Sequence, residues 1–280
     1  MPQPVFSDEV LLRIFSHLSL VGLIQARTVC SKWRVMVLQA DIRPLRRYFL
    51  DFYYEAIEYP TFLPTRPWVL ENLAPFDREA FISRLEAAQF PSIPEPFKLW
   101  ILEWPSRAVL GPIWPGLPSR CRSDTSWEGA TNLLCVTDFP QHEPYDLDLK
   151  VPVVDYSSSD DESEWRFEKL ESVTTENLVV LEYDEGSAWM LAMDDNSSMK
   201  GAVIPRGGWR DLYFVDDRPS RAEASDSEYS IAFRDWVQWL AYLCEEDQMQ
   251  DDAYMGRTLF RPYMGRPNAP PIRISDLPQE

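Results

Sequence analysis

Apolar residues near the start of the chain recur at the period of a helix. Ser7 is a good N-cap, and Asp8 and Glu9 would lie in the first turn, where negative charge suits the helix dipole. The apolar positions that follow lie on one broad stripe, which predicts a first helix. They are Val10, Leu11, Ile14, Phe15 and Leu18.

Two more short helices are predicted directly after it. The segment 19–22 interrupts the pattern and indicates a turn, Leu23 lies on a second helix, and a third helix begins near Cys30. On the third helix, residues four apart are apolar, namely Val29, Trp33 and Val37. Three helices of this size bury too little apolar surface to be stable alone. We therefore expect their core to be completed by the rest of the chain or by a partner protein.

Helical periodicity continues to about residue 105. Dense aromatic residues over 45–63 predict a helix, which the prolines of 61–67 would break because proline disfavours a helical predecessor. Asp77 is expected to cap a helix with apolar residues on one face, and Pro96 to stand in the first turn of another. These faces carry Phe81, Ile82, Leu85 and Ala88 on the first helix, and Phe97, Trp100, Ile101 and Trp104 on the second.

The period changes to that of strands from about residue 130. Short strands are predicted over 132–137, 178–183, 189–193, 201–204 and 209–215. A hairpin loop is predicted at 184–187, so that these strands form one antiparallel β-meander. A helix over 231–243 follows, with Ala232, Trp236, Trp239, Leu240 and Leu243 on one face. Helices, then strands, then a helix predict an α+β fold.

Composition excludes several classes of function. The 280 residues are 45% hydrophobic, and the formal net charge is −18. Such a charge opposes binding to nucleic acid and to anionic membranes. We find no apolar run of about 18 residues that would predict a transmembrane helix. The first four residues lack the basic start of a secretory leader, so none is expected.

The reactive residues are few. The 4 cysteines lie far apart, and the chain has only 2 histidines. This pattern favours reduced thiols in the cytoplasm or nucleus and predicts no metal site, no cofactor and no enzymatic activity. His17 is expected to face solvent. Cys30 is expected to be a small buried hydrophobe rather than a nucleophile.

Charge is distributed unevenly along the chain. Residues 1–48 contain seven basic and three acidic side chains, whereas the remainder contains 20 basic and 42 acidic ones. The first segment is therefore at +4 and the rest at −22. A sign change of this size suggests two units with different partners.

The first unit resembles an F-box. The resemblance rests on the segment 6–18, on Leu23, and on the run Val-Cys-Ser-Lys-Trp-Arg that begins at Val29. The family pattern is a Leu-Pro pair, then Glu-Ile-Leu with further apolar residues, then Val-Cys-x-x-Trp. The Leu-Pro pair is Phe6-Ser7 here, which puts the contact normally made by that proline in doubt.

This resemblance implies docking on the Skp-type adaptor of a cullin–RING ubiquitin ligase. An anchor of this kind needs apolar side chains at helical spacing. The positions that would form or support the surface are Phe6, Val10, Leu11, Ile14, Phe15, Leu18, Leu23, Val29 and Trp33. The alternative is that this stripe packs against residues 49–110 as ordinary core.

A second, more degenerate resemblance covers the later part of the chain. The segments 189–193, 194–196, 201–204 and 231–237 resemble the SUKH (SMI/KNR-like) superfamily. That family implies protein binding without catalysis. The predicted domains are thus an F-box at 1–48, a helical linker at 49–95, a SUKH-like domain at 96–250 and an extended or disordered tail at 251–280.

An acidic, low-complexity insertion is predicted near 155–165, where a solvated loop is one interpretation. Phosphorylation by an acidophilic kinase is the other, at Ser157, Ser158, Ser159 and Ser163.

The whole sequence predicts a substrate receptor of an SCF-type ubiquitin ligase, whose acidic domain binds a client with a basic surface. The alternative is a non-degradative interaction scaffold.

Overall fold

The computed structural model describes residues 6–60, 62–87, 93–119, 131–135, 145–155, 164–175, 178–184, 187–193, 199–206, 211–214 and 230–244. Its helices are α1 Asp8–His17, α2 Leu20–Val29, α3 Ser31–Gln39, α4 Pro44–Ala56, α5 Phe62–Asn72, α6 Arg78–Ala87, α7 Glu95–Glu103 and α8 over 236–244, with a 3-10 turn at Ser106–Ala108. Its strands are β1 Thr131–Asn132, β2 Tyr145–Asp155, β3 Glu164–Thr175, β4 Leu178–Asp184, β5 Ser187–Ala192, β6 Val203–Arg206, β7 Asp211–Phe214 and β8 Ser230–Ala232. The architecture is α+β, as predicted.

The first helices begin at serines that cap them. The Ser7 hydroxyl accepts from the Val10 amide at 3.5 Å, and the Ser19 hydroxyl accepts from the Gly22 amide at 3.3 Å. The second cap corrects the predicted turn at 19–22, because Ser19 starts a helix that includes Gly22. The connection is therefore only Leu18 and Ser19, which holds α1 and α2 close together.

The prolines of 61–67 do not interrupt helical structure where the sequence predicted that they would. Helix α4 ends at Ala56, but 62–72 is again helical, with Pro67 inside α5. Pro64 lies in the first turn, where its missing N–H costs no helical hydrogen bond. Pro67 leaves the Leu63 carbonyl without its helical donor, and Leu63 lies on the exposed side of α5, where water can replace the donor.

Helices α6 and α7 confirm their predictions. The Asp77 carboxylate accepts from the Ala80 amide at 2.9 Å, and Pro96 lies in the first turn of α7. Their predicted apolar faces are buried, except that Ala88 lies outside the described residues. The buried members are Phe81, Ile82, Leu85, Phe97, Trp100, Ile101 and Trp104.

The first sheet is antiparallel, with strand order β1-β4-β5-β6. Asp184 pairs with Ser187, so β4 and β5 form the predicted hairpin, and β6 continues the meander beside β5. Strand β1 ends at Asn132, and the Leu133 amide donates to the Leu181 carbonyl at 3.0 Å. Residues 136–137 of that predicted strand lie outside the described residues.

A second sheet corrects the prediction of a single meander. Its order is β3-β2-β7-β8, and β7 pairs in parallel with β2 rather than with β6. Strand β8 also pairs in parallel with β7. Strands β2 and β3 were not predicted, although they form an antiparallel hairpin whose last pair is Asp155 with Glu164.

The last described helix starts later than the sequence predicted. Residues 230–232 are strand β8, and Phe233 forms a β-bridge with Val203. The Asp235 carboxylate then accepts from the amides of Val237 and Gln238, at 2.8 and 2.9 Å. This cap fixes the start of α8 at residue 236, so Ala232 belongs to a strand.

Tryptophan rings pack α7 against α8. Trp100 of α7 lies 4.7 Å from Trp114 and 4.9 Å from Trp236 of α8 between ring centroids. Trp236 also contacts Phe97 and Trp239, at 4.7 and 4.9 Å. These residues belong to one cluster of buried side chains that begins with Leu11 of α1 and extends to α8.

Candidate protein-docking surface

Helix α1 is apolar on both of its sides. Leu11 and Phe15 are buried in the core, as an amphipathic helix requires. Val10 and Ile14 lie on a different side and are 45% and 40% exposed, and Phe6, just before the N-cap of α1, continues their spacing of four and is 57% exposed. We call these three residues the α1 face. The described part of the chain leaves much of this face in contact with solvent, although its side chains are as apolar as those of the core.

The junction of α2 and α3 is a second exposed apolar region. Val29, at the end of α2, is 60% exposed, and Cys30 follows in an extended conformation. Trp33 is half-buried, because its ring packs edge-on against Phe15 at 5.2 Å. An ion pair of 2.5 Å between Lys32 and Asp8 brings the start of α3 beside the start of α1.

The structure divides the nine predicted surface residues into three groups. Phe6, Val10, Ile14 and Val29 are exposed, whereas Leu18 and Trp33 are half-buried. The remaining three, Leu11, Phe15 and Leu23, are at most 6% exposed and belong to the core. Sequence periodicity thus found the apolar residues but did not separate those that contact solvent from those that support them.

Two exposed residues of α3 were missed. Val35 and Leu38 are each more than half exposed, while Met36 and Val37 between them are buried. The signal was present in the sequence, because a helix whose inner side carries residues 36 and 37 turns its neighbours 35 and 38 away from the core.

The prediction that Cys30 is buried is wrong. Cys30 is exposed, because the chain leaves helical geometry there between two helices. His17 is exposed, as expected. Within the described part of the chain, Cys30, Cys135 and Cys244 form no disulfide.

The basic residues of the first unit are largely engaged within the protein. Lys32, Arg43 and Arg46 form ion pairs with Asp8, Glu95 and Glu103. The Nη2 group of Arg47 donates to three carbonyls at the end of α3, those of Val37, Leu38 and Ala40. These charges therefore stabilise the packing of α1, α3, α4 and α7 against one another. The net charge of +4 alone did not indicate such a structural role.

Glu103 of α7 connects α2 and α4. Its carboxylate accepts from the Leu20 amide at the start of α2, at 2.7 Å. It also accepts two hydrogen bonds from Arg46 of α4, at 2.8 and 2.6 Å. Both side chains of this ion pair are less than one-fifth exposed. The negative charge also suits the positive end of the α2 dipole.

The comparison with known families identifies this helical unit. A family model described as F-box-like matches residues 8–42. The chain therefore carries an F-box-like domain. The match covers α1, α2 and α3, and F-box domains generally bind Skp-type adaptors. No curated protein and no solved structure matches the chain.

The remaining predicted residues fall in other regions. The candidate phosphorylation sites Ser157, Ser158, Ser159 and Ser163 lie outside the described residues, between β2 and β3. Among the residues that are described, no group of three or more potential metal ligands occurs. None of the described helices is long and apolar enough to span a bilayer.

Proposed function

We propose that this protein is the substrate-recognition subunit of an SCF-type cullin–RING ubiquitin ligase. Its F-box-like domain docks on the Skp-type adaptor, and its acidic α+β part binds a client protein. The observation that carries the proposal is the α1 face. An amphipathic helix whose core side is already buried has no structural need for three further apolar residues in water.

The energetics of such a contact support a protein partner. Complete burial of a fully exposed large apolar side chain contributes about 1.5–3 kcal/mol. Phe6, Val10 and Ile14 are 40–57% exposed, so each would contribute about half of that on docking. Phenylalanine at the end of this row is the kind of residue that fills a pocket of the partner. Buried Leu11 and Phe15 hold α1 in place, so the face is ordered before binding.

The role proposed for the rest of the chain is to hold a client near the charged ubiquitin. Proximity raises the effective concentration of the reacting groups, and no side chain of this protein performs bond chemistry. The acidic excess outside residues 1–48 favours a client with a basic surface, mainly through faster association. We propose a SUKH-like module for this part, on the sequence resemblance of segments 189–193 and 201–204 alone. We place the complex in the cytoplasm, the nucleus or both.

The experiment is a binding titration of the purified full-length protein with a Skp-type adaptor. Ile14→Asp places a carboxylate in the proposed interface, and we expect the affinity to fall at least about tenfold, because a buried unpaired charge is costly. Leu63→Asp is the matched control. Leu63 is 52% exposed on α5, outside the family match, so the same substitution there leaves binding unchanged.

Equal binding by both variants and the wild type would refute docking through the α1 face. Circular dichroism must first show that Ile14→Asp keeps its fold, which its exposure predicts. The degradative role has its own test: removal of the protein from cells should lengthen the lifetime of a bound client. A client that binds but keeps its lifetime would favour the interaction scaffold instead.

A further inference from the structure

Three arginines converge where α2, α3 and α4 meet. Helix α4 presents Arg47, Asp51 and Tyr54 at positions i, i+4 and i+7, which form one side of the helix. The guanidinium carbon of Arg27, from α2, lies 3.8 Å from the centre of the Tyr54 ring. The Nε of Arg34, from α3, donates to the Arg27 carbonyl at 3.4 Å. Three separate helices therefore contribute one cation each.

The positive charge of this cluster is only partly balanced by the described residues. Among the residues that the structure describes, Arg27, Arg34 and Arg47 form no ion pair, and Asp51 is the one carboxylate that acts on Arg27. Burial lowers the pKa of Arg27, and the neighbouring charges of Arg34 and Arg47 lower it further. A bound anion would reduce the repulsion between these half-buried like charges.

Many hydrogen-bond donors of the cluster are unused. The Nε of Arg27 is buried and has no acceptor within the described structure. The terminal nitrogens of Arg27 and Arg34 donate no hydrogen bond there either, since the one bond of Arg34 uses Nε. The Nη2 of Arg47, in contrast, is fixed by three carbonyl acceptors, which orients its guanidinium. The Tyr54 ring orients Arg27 in the same way through a cation–π contact.

We propose that Arg27, Arg34 and Arg47 form a binding site for a phosphate group. Guanidinium groups match the geometry of phosphate oxygens and can donate two hydrogen bonds to each phosphate. A dianion compensates three cations and one carboxylate, so the site would become neutral. The phosphate could be a free anion or a phosphorylated residue of a protein, which share this chemistry. None of the three arginines belongs to the α1 face.

The test is a calorimetric titration of the full-length protein with inorganic phosphate, against sodium chloride of equal ionic strength. Arg34→Gln should weaken phosphate binding about tenfold or more, the effect of losing a charge-assisted hydrogen bond. The matched control is Arg13→Gln. Arg13 is exposed on α1, and its side chain forms no hydrogen bond or ion pair with the described residues, so this variant should bind as the wild type does.

A gain-of-binding variant makes the test independent of any loss of fold. Asp51→Asn removes the one carboxylate of the cluster, at an exposed position, and should tighten phosphate binding several-fold. Phosphate affinities that are equal in Arg34→Gln, Arg13→Gln and Asp51→Asn would overturn the proposal. A phosphoserine peptide that binds more tightly than inorganic phosphate would identify a protein-borne phosphate, and equal affinities would identify the free anion.

Discussion

At the scale of single residues, Cys30 offers a chemical probe of the docking surface. It is exposed between Val29, which is also exposed, and the half-buried Trp33. We expect that alkylation with N-ethylmaleimide abolishes adaptor binding, because the adduct occupies the space of the partner. Cys30→Ser should bind normally and resist the reagent. Loss of binding in the treated serine variant would show that another cysteine is responsible.

Tyr53 predicts a dependence of stability on alkaline pH. Burial raises the pKa of Tyr53 to about 12, from 10.0 in an exposed tyrosine. Between these two values the unfolded chain ionises and the folded one does not, so stability is present below pH 10 and is lost as pH rises. The loss at pH 11 is about 1.4 kcal/mol. Urea unfolding at pH 9 and 11 should show a smaller decrease for Tyr53→Phe than for the wild type, and parallel decreases would contradict this assignment.

At the scale of elements, Glu103 determines how α2 is held against α4 and α7. Glu103→Gln leaves the mostly buried Arg46 without its counter-charge and weakens the contact with the Leu20 amide. We expect a loss of about 2–3 kcal/mol in the free energy of unfolding, below the range for fully buried ion pairs because the pair retains some solvent contact. Urea denaturation measures this loss.

Glu95→Gln is the control for that measurement. Its ion pair with Arg43 is equally direct, but both side chains are more than 60% exposed. Exposed pairs contribute little, so this variant should change stability by no more than about 0.5 kcal/mol. Similar losses in the two variants would show that burial does not distinguish these ion pairs.

The sequence predicted those elements that carry their own signals. Helices α1, α3, α6 and α7 each bury an apolar stripe that can be recognised without the rest of the fold. Strand β2 also has a signal, because Asp146 to Val151 alternate between polar and apolar residues, but no strand was predicted there. The parallel pairing of β7 with β2 could not be predicted, since it depends on contacts that are distant in sequence.

The candidate site was only partly predictable for the same reason. Which apolar residue of α1 is buried depends on its contacts with α3, and these contacts are set by pairs such as Phe15 with Trp33. Periodicity alone gave a single broad stripe. The ion pairs of Arg43 and Arg46 join residues more than 50 positions apart, so the sequence could show their charge but not their partners.

At the scale of the whole molecule, the tryptophan core makes the docking helices depend on the C-terminal part. Phe15 of α1, Trp104 of α7 and Trp236 of α8 belong to one continuous cluster of buried side chains. A domain with a continuous core unfolds cooperatively. The F-box-like domain is therefore expected to lose its structure together with the sheets, although it accounts for only residues 8–42.

Trp236→Ala tests this dependence directly. Removal of a ring that contacts Phe97, Trp100 and Trp239 should cost about 3–5 kcal/mol. In urea denaturation, far-UV circular dichroism, which follows the helices, and tryptophan fluorescence, which follows the core, should both shift to the same lower midpoint concentration of urea. Above that concentration, adaptor binding should be lost, although residue 236 lies far from the α1 face in sequence. Two separate transitions, with binding retained after the first, would show instead that the F-box-like domain folds independently of the C-terminal part.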